Sequence, residues 1–146
     1  MKISAKTRYA IAAMIYMARR YETKECITLV SLAENLNISK IYLEQVFSLL
    51  KRAGIVTSIK GAQGGYLLKR PPKEISAYDI MYAVETSLFT QNDPTVENSA
   101  PHIEKTMQKD IFARLDAIVH KLLSAITLSA LVQDAEKHSS NYMYYL

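Results

Sequence analysis

Apolar residues recur at helical spacing in five stretches of the chain, and between the third and fourth of these the pattern changes to short β-branched runs. Ile11, Met14, Ile15 and Ala18 form a stripe within residues 4–20, which predicts a first helix capped by Ser4. Leu29, Leu32, Ala33 and Leu36 predict a short second helix with Thr28 at its N-cap, where a hydroxyl can accept from an otherwise unpaired first-turn amide. Asn37 suits a turn. Ser39 offers the next cap, and Ile41, Leu43, Val46, Phe47 and Leu50 carry a third helix as far as Gly54, the residue best able to take the left-handed conformation that closes a helix. Ile55 to Ile59 then reads as a strand, Lys60-Gly61-Ala62-Gln63-Gly64-Gly65 as a glycine-tipped turn, and Tyr66-Leu67-Leu68 as the returning strand. Pro71-Pro72 ends the hairpin, and Ser76 with Asp79 forms a capping box for a fourth helix bearing Ile80, Met81 and Val84.

Residues 86–100, rich in Thr, Asn, Asp, Ser and Pro, are a loop by composition. From His102 to Ile126 a long helix follows, with Ile103, Met107, Ile111, Leu115, Ile118, Leu122 and Ile126 stepping by 4, 4, 4, 3, 4 and 4. That spacing keeps an apolar seam on one side for more than six turns at about 3.6 residues each. A seam on an outlying helix can be covered by the chain's own domain but is more economically buried against a second copy, so a homodimer is expected.

At 146 residues the chain is one integrated domain, mainly α with a small β-hairpin, and long enough to bury a core. Residues 1–85 form the helix-turn-helix and hairpin region, 86–101 the loop, and 102–146 the dimerisation helix and C-terminal tail. Charge divides the chain in a similar way. Residues 1–75 hold 13 Lys and Arg against 5 acids, a net +8, whereas residues 76–146 hold 5 against 9, a net −4. A basic front half that coincides with two helices, a tight turn and a basic hairpin is the footprint of a winged helix-turn-helix that reads duplex DNA, because each phosphate contact releases condensed counterions.

Other classes are disfavoured. The N-terminal segment Met1 to Lys6 is charged at once and has no apolar core of a secretory signal, and no apolar run approaches the roughly 20 residues of a membrane span, so a cytoplasmic protein without a membrane partner is expected. Cys26 is the only cysteine, which excludes an intrachain disulfide. Its thiol reads either as half-buried and inert, or as oxidisable beside Lys24 with Glu25 opposing. His102, His120 and His138 lie 18 residues apart, with no HExxH, GxSxG or Cys-His pairing, which argues against an enzyme; each is expected at a solvent-side or helix-start position. The glycine-rich turn lacks the Lys-Ser/Thr ending of a P-loop and joins two strands.

The strings Lys2-Ile3-Ser4, Arg8-Tyr9-Ala10, Tyr42-Leu43-Glu44-Gln45 and Lys60 through Leu68 together resemble the Rrf family of bacterial winged-helix regulators, over nearly the whole chain. The resemblance implies a reading helix in the major groove, a wing in the adjacent minor groove, and long C-terminal helices that cross in the dimer. It implies DNA-binding roles for Ser39, Tyr42, Glu44 and Gln45 on the reading helix, and for Lys60, Gly61 and Gly64 on the wing. Glu44 can accept from cytosine N4, Gln45 can pair with an adenine edge or a phosphate, and Tyr42 can reach a phosphate. Lys6 and Arg8, in the opening turns of the first helix, can dock a phosphate and fix register, or serve surface solubility alone.

Members that sense iron–sulfur status or nitric oxide carry three cysteines in the stretch that here is residues 86–102. That stretch contains none, and Asn92, Asp93 and Glu97 cannot replace thiolates as a set, so no iron–sulfur cluster or other cofactor is expected. The resemblance runs instead to the family's cysteine-metabolism repressors. Their aromatic, aliphatic-ended tail is similar to Tyr142-Met143-Tyr144-Tyr145-Leu146, and cysteine synthase is the implied partner, its availability set by O-acetylserine. A tail of this kind suits capture in a pocket where amides hold its carboxylate; it equally suits covering the protein's own core. The expected function is therefore a dimeric repressor of cysteine or sulfur-metabolism genes at an inverted-repeat operator. The alternatives are an iron–sulfur, nitric-oxide or redox-responsive regulator of the same family, or a winged-helix interaction module that binds no DNA.

Overall fold

Ser4, Thr28, Ser39 and Ser76 each begin a helix, and in each case the hydroxyl accepts from the amide three residues on: Thr7 at 3.3 Å, Ser31 at 3.1 Å, Tyr42 at 3.4 Å and Asp79 at 3.1 Å. The computed structural model describes the backbone of residues 1–145 and the side chains of residues 1–141. Its elements in chain order are α1 (Ala5–Ala18), α2 (Leu29–Leu36), α3 (Lys40–Arg52), β1 (Val56–Ile59), β2 (Gly65–Leu68), α4 (Ala77–Val84), α5 (Pro101–Met107), a π turn (Gln108–Phe112), α6 (Ala113–Ala125) and α7 (Leu128–Tyr145). The box at Ser76 is reciprocal, with the Asp79 carboxylate accepting from the Ser76 amide at 2.9 Å.

The turn inside the helix-turn-helix is made by Asn37, left-handed at φ 52°, a conformation that short polar side chains tolerate. Gly54, at φ 76°, closes α3. The Gly54 amide donates to the Lys51 carbonyl at 3.0 Å and the Ile55 amide to the Leu50 carbonyl at 3.0 Å, the paired bonds of a Schellman cap. The chain leaves that cap directly into β1, which pairs antiparallel with β2 in the register Val56 to Leu68 and Ile59 to Gly65. The connector before α2 adds a bridge to the same hairpin, Ile27 and Tyr66 exchanging amide-to-carbonyl bonds of 3.0 and 2.8 Å.

The core joins Ala10, Ala13, Met14 and Met17 of α1 to Leu32, to Leu43, Val46, Phe47 and Leu50 of α3, and to Ile80 and Val84 of α4. Ala10 and Ala13 are fully buried there, and side chains this small permit close packing against α1. The hairpin joins through Val56, and through the Tyr66 ring, whose centroid lies 4.8 Å from that of Phe47.

Two features depart from the sequence reading. The helix expected over 102–126 contains the π turn at Gln108–Phe112. Past Ile126 the chain does not trail off: Thr127 caps the 18-residue α7 through the Ala130 amide at 3.1 Å, and Leu128 is fully buried in the core. The turn between α6 and α7 is pinned to the start of α4 by bonds from the Ala77 amide to the Ile126 carbonyl (2.8 Å) and from the Leu128 amide to the Ile75 carbonyl (2.7 Å). Of the tail residues, Tyr142, Met143, Tyr144 and Tyr145 belong to the backbone of α7; their side chains, and Leu146 altogether, lie outside the described residues.

Candidate nucleic-acid interface

The outward face of α3 is set by which residues its inner face requires. Leu43, Val46, Phe47 and Leu50 are fully buried, which leaves Ser39, Lys40, Ile41, Glu44, Gln45 and Ser48 exposed. Ile41, grouped by its apolar character with the inner residues, is instead 69% exposed. Its neighbours three and four positions on are Glu44 and Gln45, whereas those of Leu43 are Val46 and Phe47; spacing, and not hydropathy alone, identifies its side of the helix. An exposed isoleucine beside a Glu and a Gln offers an apolar contact suited to a thymine methyl group. Lys40, also outside the expected set, lies 3.9 Å from the Glu44 carboxylate; both are exposed, so this pair holds Glu44 only weakly and leaves its carboxylate able to accept from another donor.

Tyr42 is half-buried, its ring meeting that of Tyr9 edge to face at 5.2 Å. This contact brings the first turns of α1, with exposed Arg8 and half-buried Lys6, against the start of the reading helix. Ser39 is both the cap of α3 and exposed, so its hydroxyl still has a proton to donate. On the wing, Lys60 and Gly61 are exposed, with Gly61 at φ 111°, and Gly64 is half-buried, its amide donating to the Gly61 carbonyl at 3.0 Å. Cys26 is half-buried at the wing's root, its Cβ 3.2 Å from the position a Cβ on Gly65 would take.

Behind this surface, Glu85 ties the end of α4 to the start of α1. Its carboxylate accepts from the hydroxyl of fully buried Thr7 and from that of Ser4, the latter at 2.9 Å. The Thr7 hydroxyl chiefly, then the Ser4 hydroxyl and the charge of Lys6, hold the Glu85 carboxyl below the usual carboxylate range against the opposing effect of burial. A carboxyl depressed in the folded state stabilises it above the unfolded pKa, and that contribution is lost as pH falls through the folded value. Thermal unfolding of wild type should therefore fall away on the acid side more steeply than that of Thr7→Val, which lacks the main donor; equal acid-side slopes would refute the link.

Glu104, only 6% exposed, accepts from the Val96 amide at 3.0 Å and from the Thr95 amide and hydroxyl, both at 3.2 Å, so it fastens the 86–100 segment to α5. The Val96 amide is the main cause of its lowered pKa. His120 is exposed but not free-standing, since its ring packs against Tyr78 at 4.4 Å between centroids. Among the described residues, no three His, Cys, Asp or Glu side chains are grouped so as to hold a metal ion, and the single thiol lies in the connector before α2. The donors of segment 86–102 do not fit a thiolate-held cluster. Among the described residues, no helix is long and apolar enough to cross a membrane.

A capped helix-turn-helix with a basic, glycine-tipped wing packed on its reading helix defines a winged-helix DNA-binding protein. Residues 3–134 match the Rrf2 family, described as iron-dependent transcriptional regulators, and the chain belongs to that family. It is 34% identical over 146 residues, the full length of both chains, to the HTH-type transcriptional regulator CymR of Bacillus subtilis (strain 168). To IscR of Vibrio atlanticus it is 32% identical over 139 residues, 93% of this chain and 78% of the relative. The solved structure of CymR, the global cysteine regulator of B. subtilis, superposes with a TM-score of 0.75 at 34% identity, covering 91% of this chain and 97% of that one. T. potens IscR superposes at 0.74 and 33%, covering 99% and 97%. The protein is thus a DNA-binding transcriptional regulator of the Rrf2 type.

Proposed function

We propose that this regulator is a cluster-free homodimeric repressor that binds an inverted-repeat operator and controls genes of cysteine or sulfur metabolism in the cytoplasm. The observation that carries the DNA reading is the polar, exposed face of α3, with Ile41, Glu44 and Gln45 side by side on a helix whose other face is fully buried. A helix fixed in this way presents its first turns rigidly to base edges, while Lys6, Arg8, Tyr42 and Ser39 meet phosphates on either side and Lys60, Gly61 and Gly64 enter the minor groove. The pathway is supported by full-length similarity to CymR and by a segment 86–102 without cysteine. Cysteine synthase is the proposed co-regulator, with residues 142–146 as the segment it captures.

Selection of duplexes bound by the full-length protein from a random pool is the direct test. A symmetric pair of half-sites about one helical turn apart is expected, and enrichment of no sequence at all would refute the reading. In the selected operator, Glu44→Ala should cost about 1–3 kcal/mol and relax preference at a single base pair in each half-site, without changing the salt slope. Repeating the selection on genomic fragments with and without cysteine synthase and O-acetylserine reads out the pathway and its signal together.

A further inference from the structure

A cavity of about 240 Å³ opens where the C-terminal end of α1, the connector 24–27 and strand β2 meet. Met17 and Ile27 are its buried apolar walls, joined by half-buried Leu67. Three exposed charged residues, Arg20, Lys24 and Glu25, line it as well. Among the described residues none of the three joins a salt bridge, and the Arg20 guanidinium rests over the Tyr16 ring at 5.0 Å from its centroid. Lys24 reaches the cavity from a left-handed backbone, φ 57°, which ends the turn Tyr21–Thr23.

Two cations and one carboxylate beside an apolar hollow complement a zwitterion. We propose that this cavity binds a free α-amino acid with an aliphatic side chain: the ligand carboxylate toward Arg20 and Lys24, its ammonium toward Glu25, and its side chain against Met17, Ile27 and Leu67. The size agrees, since the hollow is smaller than the roughly 300–1,000 Å³ of sites for drug-sized ligands.

The position of the cavity gives occupancy a consequence. Tyr66, another of its walls, exchanges backbone hydrogen bonds with Ile27 and packs its ring on Phe47 of the reading helix. A ligand that spans α1, the connector and β2 fixes the wing relative to the reading helix and so raises operator affinity. This second step rests on the DNA-binding reading above; by linkage, operator raises ligand affinity by the same factor.

Backbone amide shifts of the full-length protein, titrated without DNA, test the site. Leucine should move the amides of Ile27, Tyr66 and Leu67 saturably. Leucinamide, 4-methylpentanoate and glycine, which lack the carboxylate, the ammonium and the side chain in turn, should each bind about tenfold more weakly, the loss of one charge-assisted contact or one buried alkyl group. Arg20→Gln combined with Lys24→Gln should weaken leucine by a similar factor while leaving leucinamide unchanged. No saturable shift at these amides by about 10 mM leucine, weaker than any millimolar effector, or equal binding of all four probes, overturns the proposal. With the selected operator present, leucine should raise DNA affinity by about fivefold or more, the lower end of usual allosteric coupling. Leucine binding with unchanged operator affinity refutes the coupling to the wing, whereas leucine binding by a protein that selects no duplex refutes the DNA-binding reading and leaves the site standing.

Discussion

Ile118→Asp combined with Leu122→Asp is expected to yield a folded monomer whose operator affinity is at least about 100-fold below that of the wild type. Along α5, the π turn and α6, Ile103, Ile111, Leu115, Ile118 and Leu122 are 49%, 56%, 50%, 63% and 60% exposed. On the proposed dimer reading, this row of large aliphatic side chains, left half in water, is the association surface. Burial of each such side chain is worth about 1.5–3 kcal/mol when complete, and a charge placed in the seam must be desolvated without a partner. The core that holds the reading helix lies elsewhere, around Met14, Phe47 and Ile80, so the variant keeps its helical circular dichroism. Affinity falls because a dimer binds its second half-site as an intramolecular event, and a monomer has no such advantage. Sedimentation velocity of both proteins at micromolar concentration decides the first claim: a monomeric wild type refutes the proposed dimer, and a variant that remains dimeric places the interface somewhere other than this seam. Fluorescence anisotropy decides the second, and a half-site duplex should bind both proteins alike.

How much of this is visible in the sequence depends on how local the cause is. The caps at Ser4, Thr28, Ser39 and Ser76, the left-handed Asn37 and the Gly54 stop each act within a few residues, and all are legible there. The π turn leaves a fainter trace in the spacing. Three successive steps of four from Ile103 to Leu115 would each lead the seam by about 40° on a regular helix at about 100° per residue, and one π turn absorbs most of that drift. Helix α7 has a signal in Leu128, Leu131, Val132 and Ala135, but the aromatic residues beyond them suggest a tail. The roles of Glu85 and Glu104 are beyond local reading. Glu85 finds its Thr7 donor 78 positions away, and Glu104 reaches back across a loop that has no regular pattern, so only the folded chain brings these carboxylates to their donors.

The expected behaviour of the wing comes from its three neighbouring glycines, which differ in what surrounds them. A Cβ on Gly64 would lie 2.1 Å from the Ile59 carbonyl oxygen and 3.0 Å from that of Gly61; both are backbone atoms, so the tip itself must open. Gly61 has nothing within 4 Å of such a Cβ, and only its φ of 111° resists a side chain. Gly65 would meet the Ile27 carbonyl oxygen at 2.8 Å, which disturbs the bridge at the wing's root instead of its tip. Gly64→Val should therefore lower operator affinity by about 10–100-fold and shrink the salt slope by about 1 for each phosphate that the tip no longer reaches. Its melting temperature should fall less than that of Gly65→Ala, because the clash is confined to the half-buried tip and the Ile59 end of the hairpin, while the pairs from Val56–Leu68 to Ser58–Tyr66 lie farther from it. Gly61→Ala should lose less affinity than Gly64→Val, and Gly65→Ala should lose stability as well as affinity. If Gly64→Val instead binds operator as tightly as wild type with an unchanged salt slope, the wing makes no contact with the duplex, and recognition resides in α3 and the first turns of α1 alone.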